Sequence, residues 1–359
     1  MMMTALKHRR SSVLFFSAML CLGFCLFSSD ADAFHWGGGD YCRGCHGAIG
    51  EDTSSSTLGL LGGDASSTCL RCHDDTHRVL TENGGGHSPG GDFYWLTREY
   101  SQNGYEDRAD SHGHNIIAVD YGLTRDAFKD RAPSSGGGVF SSNWLECTSC
   151  HDPHGLSYPS YDFRMLRSTG WIENRAGVSY YFPNPSPTAV SYSGQGGDWP
   201  TETDQRHTDY GEGMSEWCSN CHVGYTNSSQ HSHAAGNNAY LNQYADLYNS
   251  YVATGDFTGS ADSAYDHFVP FERGVDENLL DPYSTHGPDS QSRVMCLTCH
   301  RAHATPFANI GRWDFQTQFI ADSPVFSSAD SAQAFYGDDI EMRYGTFQRS
   351  LCNKCHVQD

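Results

Sequence analysis

Cys147-Thr148-Ser149-Cys150-His151 is the third of six copies of one five-residue pattern, and the fold turns on how that pattern is read. The others are Cys42-Arg43-Gly44-Cys45-His46, Cys69-Leu70-Arg71-Cys72-His73, Cys218-Ser219-Asn220-Cys221-His222, Cys296-Leu297-Thr298-Cys299-His300 and Cys352-Asn353-Lys354-Cys355-His356. Each is Cys-x-x-Cys-His, the c-type haem attachment signature: two thiols bond the porphyrin vinyl groups and the adjacent imidazole becomes the proximal iron ligand. Six copies imply six covalently bound haem c groups, with His46, His73, His151, His222, His300 and His356 proximal.

Zinc sites also use Cys-x-x-Cys pairs, but they leave the next residue free to vary. Here histidine follows every time. Of 14 cysteines, twelve lie in the motifs and the other two are Cys21 and Cys25. No thiol beyond residue 33 is then left for a nucleophile, a disulfide or an iron-sulfur cluster.

Cys21 and Cys25 fall in an apolar stretch from Val13 to Phe27, preceded by Lys7, His8, Arg9 and Arg10 and followed by Ala31-Asp32-Ala33. This is the layout of a secretory signal peptide spanning residues 1–33, leaving residues 34–359 as one exported hexahaem domain without a membrane anchor. Export suits covalent haem, which is attached outside the cytoplasm. The chain carries a net charge of -21, and removal of a leader with three basic and two acidic residues leaves -22. So acidic a surface argues against nucleic acid or anionic membrane as a partner.

Hydrophobic residues make up only 38% of the chain, thin for a conventional core of this length. Six macrocycles lined by Tyr, Phe and Trp would supply the missing apolar volume. The expected fold class is therefore mostly irregular coil with short α-helices around a chain of six haems. Gly84-Gly85-Gly86, Ser88-Pro89-Gly90-Gly91 and Pro183 to Pro187 read as loops, and residues 238–252 as the best helix, with Leu241, Tyr244, Ala245, Tyr248 and Val252 on one face. The motifs start at 42, 69, 147, 218, 296 and 352, and the segments between them show no repeat.

Outside the leader, 18 histidines remain; six are proximal, so twelve are available for six sixth positions. Bis-histidine ligation keeps iron low-spin, lowers its potential relative to His/Met and closes it to substrate. Such a chain passes electrons and is not an enzyme. A multihaem reductase would need an open iron, and no motif departs from the pattern to mark one. His154 and His303 each lie three residues past a proximal ligand, too close to reach the far face of the same haem but well placed to cap a neighbour's. His112 and His114 share a face if extended. These four are distal candidates from spacing.

Stretches outside the motifs resemble the OmcS-type hexahaem extracellular cytochromes of metal-reducing bacteria, which are nanowire subunits. They include Phe34-His35, Gly90-Gly91-Asp92-Phe93 with Trp95-Leu96, His112-Gly113-His114-Asn115-Ile116, Gly213-Met214-Ser215-Glu216-Trp217-Cys218, Leu247-Tyr248-Asn249-Ser250-Tyr251 and Pro270-Phe271-Glu272. The resemblance implies a head-to-tail filament of copies of the chain, whose haems form one stack. Electrons would arrive from periplasmic or outer-membrane cytochrome donors and leave to extracellular acceptors such as iron oxides. It adds His77, His233 and His286 as distal candidates, so seven histidines compete for six irons. One position departs. Where the family has a histidine three residues past the first proximal ligand, reaching a haem in the next subunit, this chain has Ile49. Either another histidine (His35, His207, His231 or His267) makes that bond, or the polymer contact differs. A monomeric periplasmic carrier is the alternative to a filament.

Overall fold

A computed structural model describes residues 43–47, 59–74, 79–85, 88–102, 105–135, 140–154, 163–175, 177–192, 201–226, 233–323 and 333–356. The chain divides into two units, Met1–Gly44 and Cys45–Asp359, and all that follows concerns the second. Cys42, His77, His35, His231 and Ile49 lie outside the described residues.

The expected fold class holds. Helices are short and most sit on an attachment motif: α1 Ala65–His73, α2 Cys147–Cys150, α3 Met214–Cys218, α4 Tyr244–Ser250, α5 Cys296–Cys299 and α6 Ile340–Tyr344. A 3-10 turn, Leu351–Lys354, carries the last motif. One helical turn is all the attachment chemistry needs, because residues three apart share a face. These turns are closed locally by side chains. Asp64 accepts from the Ser67 amide at the start of α1, 2.6 Å. The amides of Glu146 and Met295 donate forward to Ser149 Oγ and Thr298 Oγ1, 3.1 and 3.0 Å, at the starts of α2 and α5.

Three two-stranded antiparallel sheets complete the regular structure: β1 Tyr100–Gln102 with β2 Tyr105–Asp107, β3 Ile172–Arg175 with β4 Val178–Tyr181, and β5 Thr188–Val190 with β6 Asp209–Glu212. The predicted helix over 238–252 is shorter than its apolar stripe. Residues 239–241 are extended and paired with 292–294, Leu241 N donating to Ser292 O and Val294 N to Ala239 O, and Asn242 turns the chain at φ 46° before α4 begins. Backbone groups already bonded across the pair cannot enter a helix. Leu241, Ala245 and Tyr248 are buried as the stripe predicts, whereas Tyr244 and Val252 are exposed.

The core is also more proteinaceous than composition suggests. Tyr248, Phe268, Phe271, Phe307, Trp313 and Ile320 anchor one buried cluster around the carboxy-terminal motifs, and Leu70, Phe93, Trp95, Ile116 and Ala304 a second around the second motif. Close approach in the second depends on Gly91, at φ 102°, where a Cβ would lie 2.1 Å from Ala304 O. Asp92 N donates to that same carbonyl, so the loop carrying Phe93 is clamped onto the segment after His300.

The first cluster encloses a network of charge. His267 is nearly fully buried and bonds Asp204 through Nδ1 at 2.9 Å and Asp338 through Nε2 at 2.8 Å. Arg343 Nη2 donates to both oxygens of Asp204 at 2.8 Å and to Asp266 at 3.2 Å. Burial pulls the His267 pKa down, but its bonds to Asp204 and Asp338 outweigh burial and raise it above the ordinary histidine value. A raised folded-state pKa means stability that is complete below about pH 6.5 and lost as pH climbs through the raised value, at up to about 1.4 kcal/mol per unit. Thermal midpoints should therefore fall on going from pH 6 to pH 9. His267→Gln should flatten that slope; an unchanged slope would show that the proton is not held there.

Candidate metal centres

In four of the attachment turns the surroundings of the second thiol disfavour its ionised form. Burial pushes Cys150 and Cys355 up to about 11 and Cys221 and Cys299 to about 12. First cysteines of successive motifs meet: the Cys69 thiol donates to Cys147 and the Cys218 thiol to Cys296, which is thereby lowered to about 7.

The turns recur as a two-motif module that the segments between motifs do not betray. Cys147 N donates to Ser66 Oγ, and Cys296 N to Ser215 Oγ, each at 3.0 Å and each across 81 residues. Arg167 Nε bonds Thr148 O at 2.5 Å, as Arg312 Nε bonds Leu297 O at 2.6 Å. Positive-φ pairs, Arg164-Met165 and Asn309-Ile310, turn the chain back beneath the proximal histidine in both. In the sequence the module shows as the 78-residue interval that separates the second motif from the third and the fourth from the fifth, a serine three residues before the module's first cysteine and a histidine three past its second proximal ligand. Arg312, buried, also donates to His267 O at 3.0 Å and so ties the fifth motif to the charge network.

Four proximal histidines each face a second imidazole. Ring centres are 6.0 Å apart for His46 and His154, 6.3 Å for His151 and His303, 5.8 Å for His222 and His114, and 5.9 Å for His356 and His233. Two imidazoles trans on one ion, each bound at about 2.0 Å, put their centres roughly 6 Å apart. The planes of such rings share the metal axis, so the spread of interplanar angles from 13° to 80° is compatible with it.

In five histidines, four of them in these pairs, the other ring nitrogen is committed in the way metal ligands require. Nδ1 donates to a backbone carbonyl in His114 (Ala302 O, 2.7 Å), His151 (Arg164 O, 2.9 Å), His222 (Pro133 O, 2.9 Å), His233 (Ala234 O, 2.8 Å) and His300 (Asn309 O, 2.9 Å). That fixes the tautomer and turns Nε2 outward as the donor. Burial lowers His222 to about 4 and His303 to about 3, and lowers His114 and His300 as well. A neutral imidazole is the form that binds metal. Spacing, burial and tautomer thus fit iron held on both faces in a haem.

Of the seven distal candidates, the structure brings His114, His154, His233 and His303 opposite proximal rings. His112 is buried, its Nδ1 2.9 Å from Thr305 O and its ring 5.5 Å from Tyr100. His77 lies outside the described residues. His286 is a surface residue 3.6 Å from Asp262, and no proximal histidine faces it among the described residues. Two of the four histidines considered for the cross-subunit bond are engaged within the chain. His267 has both nitrogens bonded to carboxylates, and His207 is fully buried, stacked 3.5 Å over Tyr265.

No protein-family model matches the chain. The C-type cytochrome OmcS of Geobacter sulfurreducens is 34% identical, over 92% of this chain and 95% of that protein. Two solved structures superpose with TM-scores of 0.72: the outer membrane cytochrome S filament from Geobacter sulfurreducens, at 30% identity, and the OmcS nanowires from the same organism, at 31%. Each covers 89% of this chain and 98% of its own. With attachment turns, paired imidazoles and likeness along nearly the whole chain in agreement, this protein belongs to the OmcS family of c-type cytochromes.

Proposed function

We propose that the chain is a hexahaem electron-transfer protein, exported through a signal peptide at residues 1–33, and the repeating subunit of an extracellular filament that delivers electrons to acceptors outside the cell. The observation that carries this reading is the set of four imidazole pairs, each joining a motif's own histidine to one from a distant part of the chain. Haem iron with histidine on both faces cycles between two oxidation states at low potential without binding substrate, so the protein serves as an electron carrier and not as an enzyme. No helix among the described residues is long and apolar enough to cross a membrane.

The chain's own residues do three things. Cys42 and Cys45, with their counterparts in the other five motifs, tether the macrocycles at fixed points. His46, His151, His222 and His356 would hold the irons together with His154, His303, His114 and His233 respectively. For the second motif, His112 is the assigned partner of His73: it touches Tyr100, which packs on the cluster that contains Leu70 of that motif. Because each distal histidine belongs to a segment that attaches a different haem, the attachment sites are locked to one another and the distances between them are held. Filament growth rests on the likeness to the two filament structures and uses a head-to-tail, non-closing contact.

Mass spectrometry and negative-stain micrographs of the haem-loaded, exported protein test this. Six haem additions on a chain beginning at Phe34, together with fibres of regular repeat, are expected. A sharp monomer peak on sizing at high concentration would reduce the reading to a monomeric carrier.

A further inference from the structure

The attachment turns of the third and fifth motifs are alike in backbone and opposite in charge. Arg167 N donates to Cys150 O and Arg312 N to Cys299 O, both at 2.8 Å, and the residue after each proximal histidine is bridged to the returning chain, Asp152 N to Met165 O and Arg301 N to Ile310 O. At the third motif that residue is an acid. Asp152 lies 3.8 Å from Arg167 Nη1, and the pair is open to water, with side chains 37% and 13% exposed. At the fifth motif the same place holds a base. Arg301 and Arg312 are both buried; Arg301 Nη1 donates to Pro89 O at 2.8 Å, and Arg312 donates to Leu297 O, His300 O and His267 O at 2.6, 3.1 and 3.0 Å. The carboxylate that answers both is Glu202, itself buried. Burial pulls its pKa up, but Arg312, Arg301 and the Thr208 amide, 2.8 Å from Oε1, outweigh burial and hold it below the ordinary carboxylate range. Two buried guanidinium groups thus share one buried carboxylate. The adjoining network balances itself while His267 keeps its proton, with Asp204, Asp266 and Asp338 against His267, Arg343 and Lys354.

Resting on the haem assignment above, we propose that Arg312 holds the haem of the fifth motif at a higher potential than the haem of the third. Reduction places an electron on the haem, and a cation in the low-dielectric interior stabilises it more than a solvated ion pair does. The charge reaches the proximal ligand: burial lowers the His300 pKa, and Arg312 lowers it further. Arg164, whose carbonyl holds His151, is exposed, so water screens its charge. In a partly reduced chain the electron rests at the fifth motif, and passage through the third is an uphill step.

The test is a spectroelectrochemical titration of the haem-loaded full chain at pH 6, resolved into six one-electron steps. Arg312→Met should lower one step by at least tenfold in its redox equilibrium, about 59 mV. Glu202→Gln, which removes the shared carboxylate and keeps an acceptor for the Thr208 amide, should raise that same step. In the wild type this step should stand above the one that Arg167→Met moves. Arg312→Lys should restore it, because lysine returns the charge without the guanidinium's bonds. Shifts under twofold, the reverse order of the two steps, or a loss in Arg312→Lys equal to that in Arg312→Met would overturn the proposal and leave the haem assignment standing. Should Arg312→Met fail to fold, the Glu202→Gln step decides alone, a null or downward shift overturning the proposal. A wild-type mass showing fewer than six haems would overturn the haem assignment, and the proposal with it.

Discussion

Replacing Cys147 and Cys150 together with alanine should abolish folding, and not yield a protein with five haems. The third motif sits where the structure converges. Cys147 N is held by Ser66 Oγ, its side chain packs on the cluster around Leu70 and Trp95, and His151 faces His303. A porphyrin presents the apolar surface of several aromatic side chains, each burying about 150–250 Å². At about 25 cal/mol per Å² its loss costs on the order of 10 kcal/mol. A whole domain is stable by only about 5–15 kcal/mol, so one haem is comparable to the entire margin. The yield of red, protease-resistant protein should fall at least tenfold. A soluble product with five haems and an unchanged thermal midpoint would refute this account of the core.

Arg343→Met should cost about 3–5 kcal/mol, the usual consequence of stranding buried carboxylates by removing their cation. Asp266 is 5% exposed in its side chain, and Arg343 is its nearest cation, at 3.2 Å; Lys354 Nζ lies farther off, 3.8 Å. Asp204 loses both of its 2.8 Å contacts to the same nitrogen. In a chain of this size the thermal midpoint should drop by roughly 10 °C. The drop should be smaller at pH 6 than at pH 9, because protonated His267 still neutralises Asp204 at the lower pH. Arg343→Lys should recover part of the loss, because it restores the charge with a more strongly hydrated ammonium. A shift under about 2 °C would mean the network is solvated in solution.

The two modules show where sequence reading stops. Ser66 and Ser215 each stand three residues before a first cysteine, and Arg167 and Arg312 each fold back onto an attachment turn, but the text between them shares no recognisable pattern. What is repeated is backbone geometry, and several side-chain types can support the same turn. Likewise His114 and His286 are both distal candidates, the first from spacing and the second from resemblance. His114 succeeds because its amide donates to His303 O, with Gly113 bridged to Ala304, which sets two ligand-bearing strands side by side. His286 lies on a surface loop near Asp262. Nothing local to either residue distinguishes them.

By itself the sequence determined everything that one helical turn can accomplish: the paired thiols, the adjacent imidazole and the number of motifs, in a chain thin in apolar residues for a conventional core. Only the tertiary structure brings the paired imidazoles face to face. Paired rings come from residues 108 to 152 positions apart, and whether they meet depends on how the intervening loops pair and pack. Attachment is settled within five contiguous residues, whereas ligation from the second face is a long-range contact, and that is why the one was legible and the other was not.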